Sequence, residues 1–275
     1  MTSVFLLTRR ALYGGWDWLE AGFVGVWLGL SSRRMLYAID EAHYRRAGRY
    51  HTIEHNLRGW FDWEEQPARE WFTDRKCVAV LGAGAGREVI ALARMGQRAR
   101  GFECNPALVD LGNRLLAQET ADCSIELLPR EQVPDGSYDA VIIGWSAYML
   151  IPGRELRVAL LRQLHAILPD RAPLLLSFFT RAGSERRFRR IARIGSAIRL
   201  LMGRPAVEPG DDLVPNYVHW FTREEIEAEL RDGGFEPADF APQHAGPTAS
   251  GWAVGLRSSV LHSDPVIAGA AGAVQ

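Results

Sequence analysis

The segment that most restricts how this chain can fold is Cys77–Gly96, "CVAVLGAGAGREVIALARMG". An apolar run breaks into three alternating glycines, Gly82, Gly84 and Gly86, and then into a helical pattern from Arg87 to Met95. Glycine permits a tight turn and leaves no Cβ between the backbone and a ligand. The helix beyond offers unpaired N–H groups in its first turn. Strand, glycine turn and helix in that order open an α/β sheet with a small molecule over the turn.

The chain downstream keeps alternating. "RARGFE" is a short second strand ending in Glu103, about 20 residues past the first glycine, where nucleotide folds place an acid on the ribose. Asn105 and Pro106 suit a helix cap and the first helical position. Leu108, Leu111, Leu115 and Leu116 give that helix its apolar face. "SIELL", "YDAVIIG" and "PLLLSFF" supply three more strands, with Leu156, Leu160, Leu164 and Leu168 at helical spacing before the last. Thr222 and Glu225 have capping-box spacing and predict a helix that Gly233 and Gly234 end. Segments 237–243 and 251–258 read as a closing antiparallel pair.

A dinucleotide fingerprint, G-x-G-x-x-G/A, needs a small residue at position 87, and Arg87 stands there. That argues against an oxidoreductase. The G-x-G-x-G spacing points instead to a nucleoside carrying an amino acid. With "VLGAGAG", Glu103, "PDGSYDAVIIGWSAYML" and "FTREEIEAELRDGGFE" in this order, roughly Cys77 to Arg257 resembles the class I S-adenosylmethionine-dependent methyltransferases. The resemblance implies a Rossmann-like, seven-stranded α/β sheet with helices on both faces. It also implies that Gly82, Gly84 and Gly86 cradle the methionyl part of S-adenosylmethionine, with Glu103 on the ribose. Cys104 would border the adenine, and Glu131 approximates the acid that such enzymes set near the adenine amino group. Trp145, leaving the fourth strand, is a further wall residue for the cofactor.

Three regions then compose the chain: a helical extension over 1–75, the sheet domain over 76–262 with a lid insertion at 181–216, and a tail over 263–275. The extension holds Trp16, Trp18, Trp27, Trp60, Trp63 and Trp71, which suit an accessory layer or a pocket wall. Residues 12–30 are apolar but interrupted by Asp17 and Glu20, and too short for the ~20 residues of a membrane span. They read as a buried or lid helix, with contact at a membrane surface as the alternative. No small-residue cleavage site follows, which argues against a signal peptide. Residues 184–204 form a basic amphipathic helix suited to covering the cleft, touching anionic lipid or binding an acidic substrate.

A methyl group on a sulfonium needs an aligned nucleophile and, for a hydroxyl, a proton acceptor. His55 is the first candidate base, His51 one helical turn earlier has an orienting role, and His219 is the rival beyond the insertion. Tyr148 is a fourth candidate, provided its pKa is lowered. His51, Glu54 and His55 also spell H-x-x-E-H, an inverted zinc-protease motif that requires both histidines on one helix face. Little room precedes Cys77 for a protease domain, so no metal is expected. The formal net charge is −1 and no basic stripe exists beyond 184–204, which argues against a nucleic-acid partner. Three cysteines without paired spacing fit a reducing cytoplasm. The expected activity is methyl transfer to an oxygen or nitrogen of a small molecule, with a cofactor-binding regulatory protein as the alternative.

Overall fold

The computed structural model describes residues 18–46, 48–119, 122–181, 185–242 and 250–259. Residues 1–17 with Trp16, the predicted tail over 263–275 and the connection at 243–249 lie outside them. The extension is helical: α1 (18–30), α2 (Arg33–Arg46), a 3-10 turn (Gly48–His51), α3 (Ile53–Leu57) and α4 (Asp62–Phe72). Then β1 (Cys77–Leu81), α5 (Arg87–Arg94), β2 (Arg98–Glu103), α6 (Pro106–Glu119), β3 (Ser124–Leu127) and β4 (Ala140–Ile143) follow in alternation. The remaining elements are α7 (Arg154–Ile167), β5 (Pro173–Phe179), α8 (Glu185–Leu201), a hairpin of β6 (Asp211–Leu213) and β7 (Tyr217–His219), α9 (Arg223–Asp232), β8 (Phe235–Pro242) and β9 (Ser250–Arg257).

Seven strands form one sheet in the order β3-β2-β1-β4-β5-β9-β8. β1 to β5 pair in parallel, whereas β9 runs antiparallel to both β5 and β8. The central strands "VAVL" and "AVII" are buried on both faces, as parallel strands between helical layers must be. One face packs Leu81, Ile143 and Leu176 against Leu161 and Leu164 of α7 and Leu230 of α9. The other packs Val80, Ile142 and Val254 against Ile90 of α5, Leu116 of α6 and Phe72 of α4. The predicted caps form: Ala107 N–H donates to Asn105 Oδ1 at 3.0 Å, and Thr222 and Glu225 close a capping box on α9.

The two segments outside the sheet pack on each other. Ala21, Val24 and Leu28 of α1 join Phe188 and Ile191 of α8, Leu36, Val207 and Tyr217 in a separate small core. The two helices run close because glycines face them. A Cβ on Gly25 would lie 2.9 Å from the Ile194 Cβ, and one on Gly29 2.7 Å from the Ile198 Cβ. The inserted helix α8 therefore seats on α1 and supports the cover of the sheet's open end; α2, two residues further along, supplies the residues that reach over it.

Candidate active site

The carboxyl ends of β1, β2 and β4 meet where open α/β sheets bind ligands. A cavity of about 1170 Å³ lies there, walled on one side by the glycine turn, Glu103 and Cys104, and on the other by α2 and the turn and helix after it. Small-molecule sites enclose roughly 300–1,000 Å³, so this cavity lies just above the large end of that range.

The three glycines all have left-handed φ, at 65°, 55° and 94°. They serve different ends. A Cβ on Gly82 would strike the Cβ of Ala147, and one on Gly86 would lie 2.8 Å from Ile125 Cδ1. A Cβ on Gly84 would meet nothing within 4 Å, so Gly84 alone holds open space beside the backbone. Gly82 and Gly84 line the cavity; Gly86 sits behind them as the N-cap of α5. Gly84 N–H and Asn105 N–H each donate to a Glu103 carboxylate oxygen at 2.9 Å. Two backbone donors thus hold the carboxylate on the wall, with acceptor sites left for hydroxyl groups. Burial, reinforced by the charge of Glu103, pushes the Cys104 thiol up to about 12 and keeps it neutral.

The facing wall is built from side chains. Tyr44 of α2 brings its hydroxyl to 3.5 Å from Ser146 Oγ, just past β4. Ser146 has φ 65°, a conformation that costs a residue with a Cβ and clusters at functional sites. Burial first, and then neighbouring Tyr50, raise the Tyr44 phenol, which stays protonated. His51 Nε2 lies 3.1 Å from the carbonyl oxygen of Tyr44. A carbonyl only accepts, so His51 carries its proton on Nε2 and pins the backbone of Tyr44. His55, in α3, packs edge-on to Tyr50 at a centroid distance of 5.4 Å and lines the cavity. Burial and then the charge of Arg87 hold its imidazole below the ordinary 6.5, so it is neutral at pH 7. Trp145 lines the cavity with its ring against Trp63 and Phe179.

Several predicted residues have other duties. Tyr148 is fully buried and donates to Glu229 at 2.7 Å, with its pKa raised by burial rather than lowered. His219 is buried, with Nδ1 2.8 Å from Asp211. Neither lines the cavity. Both belong to an ion network centred on Arg157, which bonds Glu229 and Glu208 at 2.7 Å. Glu208, Asp211 and His219 come close enough to ligate a cation, but Arg157 already occupies Glu208, and Tyr217 donates to Asp211 at 2.6 Å. Burial pushes the Asp211 carboxyl up, yet the hydrogen bond and charge of His219 outweigh it and hold it below 3.8.

Glu131 lines the cavity, but its carboxylate accepts from the Tyr37 hydroxyl and from Arg33 at 3.4 Å, both of the α2 helix. It tethers the cover. A second tether joins Arg130 to Asp40, which also accepts from Asn216 Nδ2 at 2.6 Å. The H-x-x-E-H motif is split: His51 ends a 3-10 turn, and Thr52 caps α3. No single helix carries both histidines, so the zinc-protease geometry is not built.

Sequence reasoning missed Tyr44, the tethers and the role of Arg87. Arg87 bonds Glu64 Oε1 at 2.8 Å, Glu88 Oε1 at 2.6 Å and the Gly59 carbonyl at 3.0 Å, tying α4 to the helix behind the glycines. Arg33, Tyr37, Asp40 and Tyr44 recur at helical spacing along α2, a pattern that could have marked them as one face.

The sequence matches no family model and no curated protein. Solved structures do match. A SAM-dependent methyltransferase from Methanosarcina mazei superposes with a TM-score of 0.58 at 17% identity, over 73% of this chain and 99% of its own. This is the class I methyltransferase fold. Magnesium protoporphyrin IX methyltransferase from Synechocystis, solved with S-adenosylhomocysteine, has the fold at a TM-score of 0.56 and 17% identity, over 81% and 100% of the two chains. The 1,6-didemethyltoxoflavin-N1-methyltransferase of Burkholderia thailandensis, solved with 1,6-didemethyltoxoflavin and S-adenosylhomocysteine, gives 0.58 and 15%, over 83% and 92%.

Proposed function

We propose that this chain is an S-adenosylmethionine-dependent methyltransferase acting on an oxygen or nitrogen nucleophile of a small molecule. The observation that carries the reading is Gly84: left-handed, open to the cavity, and bonded through its N–H to the carboxylate of Glu103. That pairing fits the ligand's two ends, a close backbone approach for the methionyl part and a fixed acceptor for the ribose hydroxyls. Cys104 supplies a neutral side chain beside the adenine. The S-adenosylhomocysteine held by two of the structural neighbours supports the same reading.

When bound, S-adenosylmethionine supplies a methyl group already activated as part of a sulfonium. The chain's own residues then have three tasks. Trp145 and α2 enclose the acceptor and limit water. Tyr44, protonated and pinned by His51, donates a hydrogen bond to the acceptor and orients it. His55, neutral at pH 7, accepts the proton that an attacking hydroxyl or amine loses. Three cysteines, all free, support a reducing cytoplasmic setting. Calorimetry with S-adenosylmethionine and S-adenosylhomocysteine tests the cofactor site: micromolar or tighter binding by the natural chain supports it, and no heat for either ligand overturns it. Labelled-methyl transfer to a fractionated small-molecule extract then separates an enzyme from a protein that only binds.

A further inference from the structure

The cover of the cavity rests on a helix whose outward face is as apolar as its inward one. Along α1, Ala21, Val24 and Leu28 are buried against α8, as are Gly25 and Gly29. The opposite stripe, Leu19, Phe23, Val26, Trp27 and Leu30, is exposed, with Leu19 and Phe23 both at 63%. Soluble surfaces scatter single apolar residues; a continuous stripe of large ones marks a contact site. Leu200 and Leu201 extend the patch, at 79% and 89% exposure. They belong there because α1 and α8 run parallel: Gly25 faces Ile194 and Gly29 faces Ile198, so the carboxyl ends of both helices lie side by side.

Cations surround this patch. Arg199 Nε donates to the Leu28 carbonyl and Arg204 Nη1 to the Leu30 carbonyl, at 3.1 Å and 3.0 Å, which sets both guanidinium groups at the end of α1. The guanidinium of Arg190 lies 5.7 Å from the ring centre of Trp18 at its other end. Arg34, next along the chain, lines the cavity mouth, and Arg193 is exposed on α8. Among the described residues none of these five arginines pairs with a carboxylate. The chain as a whole carries a net charge of −1, so their concentration here is local.

We infer that this face docks on an anionic lipid bilayer, with α1 lying along the interface and the arginines at the headgroup level. Tryptophan, phenylalanine and leucine on one side with arginine around them is the arrangement that interfacial helices use. Among the described residues no helix is long and apolar enough to cross a membrane, so the contact lies along the bilayer surface. A second copy of the chain is the poorer occupant. A two-fold contact sets the same surface against itself, and here it would bring arginines against arginines, with Glu20, already paired to Arg187, the acid on α1 among the described residues. A bilayer carrying negative headgroups meets both the apolar stripe and its cationic border.

Vesicle co-sedimentation of the full chain tests this without recourse to any enzymatic activity. The natural chain should pellet with vesicles of equal parts phosphatidylcholine and phosphatidylglycerol, and at least tenfold less with phosphatidylcholine alone. Phe23→Gln with Trp27→Gln should abolish pelleting, while circular dichroism shows an unchanged fold, because both side chains are exposed. Arg190→Gln with Arg193→Gln should retain the fold and lose most of the preference for the anionic vesicles, as should raised salt. Three results overturn the proposal: no pelleting by the natural chain, equal pelleting by the Phe23/Trp27 variant, or a concentration-dependent dimer that those two substitutions dissociate.

Discussion

The two walls of the cavity are made of different material. The wall over β1 and β2 is mostly backbone: left-handed glycines, two amide donors and one carboxylate held by them. The wall opposite is side chains brought from α2 and α3, held by Arg87–Glu64, Arg130–Asp40 and Tyr37–Glu131. A backbone site is specified by a few residues close in sequence. A side-chain site depends on long-range tethers, so its parts can be exchanged for a new acceptor while the first wall stays as it is.

The sharpest way to break this contrast is to add a side chain to the backbone wall. Gly84→Val should abolish S-adenosylmethionine binding in calorimetry, since the added atoms fill cavity space, and its left-handed φ should lower the melting temperature while the chain still unfolds cooperatively. Gly82→Ala should do the reverse and chiefly lower the melting temperature, because its Cβ meets Ala147. If Gly84→Val binds normally, the backbone wall does not hold the cofactor.

On the side-chain wall, His55→Ala should lower turnover by about 10²–10⁴ with cofactor affinity retained, the range for a positioned general base. In the natural chain, kcat/KM should fall on the acid side with an apparent pKa below 6.5, because burial and Arg87 disfavour the protonated imidazole. A limb at or above 6.5, or one that persists in His55→Ala, assigns the proton to another group. Glu103→Ala should weaken cofactor binding by roughly 1.5–3 kcal/mol, the worth of a hydrogen bond to a charged acceptor, with little change in turnover at saturation.

The tethers give a test of stability against pH. Arg87→Met leaves Glu64 buried without its partner, a change that costs about 3–5 kcal/mol. Burial already raises the Glu64 carboxyl above 4.5 despite Arg87. A raised value means that the folded chain holds the proton more tightly than the unfolded one, so stability declines as pH rises through it. Without Arg87 the value climbs further. The variant should therefore melt closer to the natural chain at about pH 5 than at about pH 8. The smallest effect on catalysis belongs to the core network: His219→Gln should leave turnover unchanged, because His219 does not line the cavity, and lower the melting temperature alone.

The same contrast explains what could be read beforehand. The strands, the caps at Asn105 and Thr222 and the glycine turn depend on neighbours a few residues away, and local pattern exposed them. Tyr148, past the fourth strand, and His219, returning to the rim after the insertion, both stood as candidates for chemistry. What removes them from the cavity is Arg157, which lies far from His219 in sequence and reads there as an ordinary helix arginine. Arg87 was legible as an obstacle to a dinucleotide; its bond to Glu64 across 23 residues was not.

The packing of α1 on α8 also has a consequence for how the chain is made. Gly25 and Gly29 are synthesised ahead of the whole sheet, whereas Gly195 and Ile198 emerge after five of its seven strands. At about 5–20 residues per second, α1 waits on the order of ten seconds with both apolar faces bare. During that interval a chaperone or a nearby bilayer competes for the face that α8 will later cover. A chain shortened to start at Arg33 has the converse defect: Phe188, Ile191 and Ile194 lose their cover, and the shortened protein should self-associate, visible as light scattering that grows with concentration.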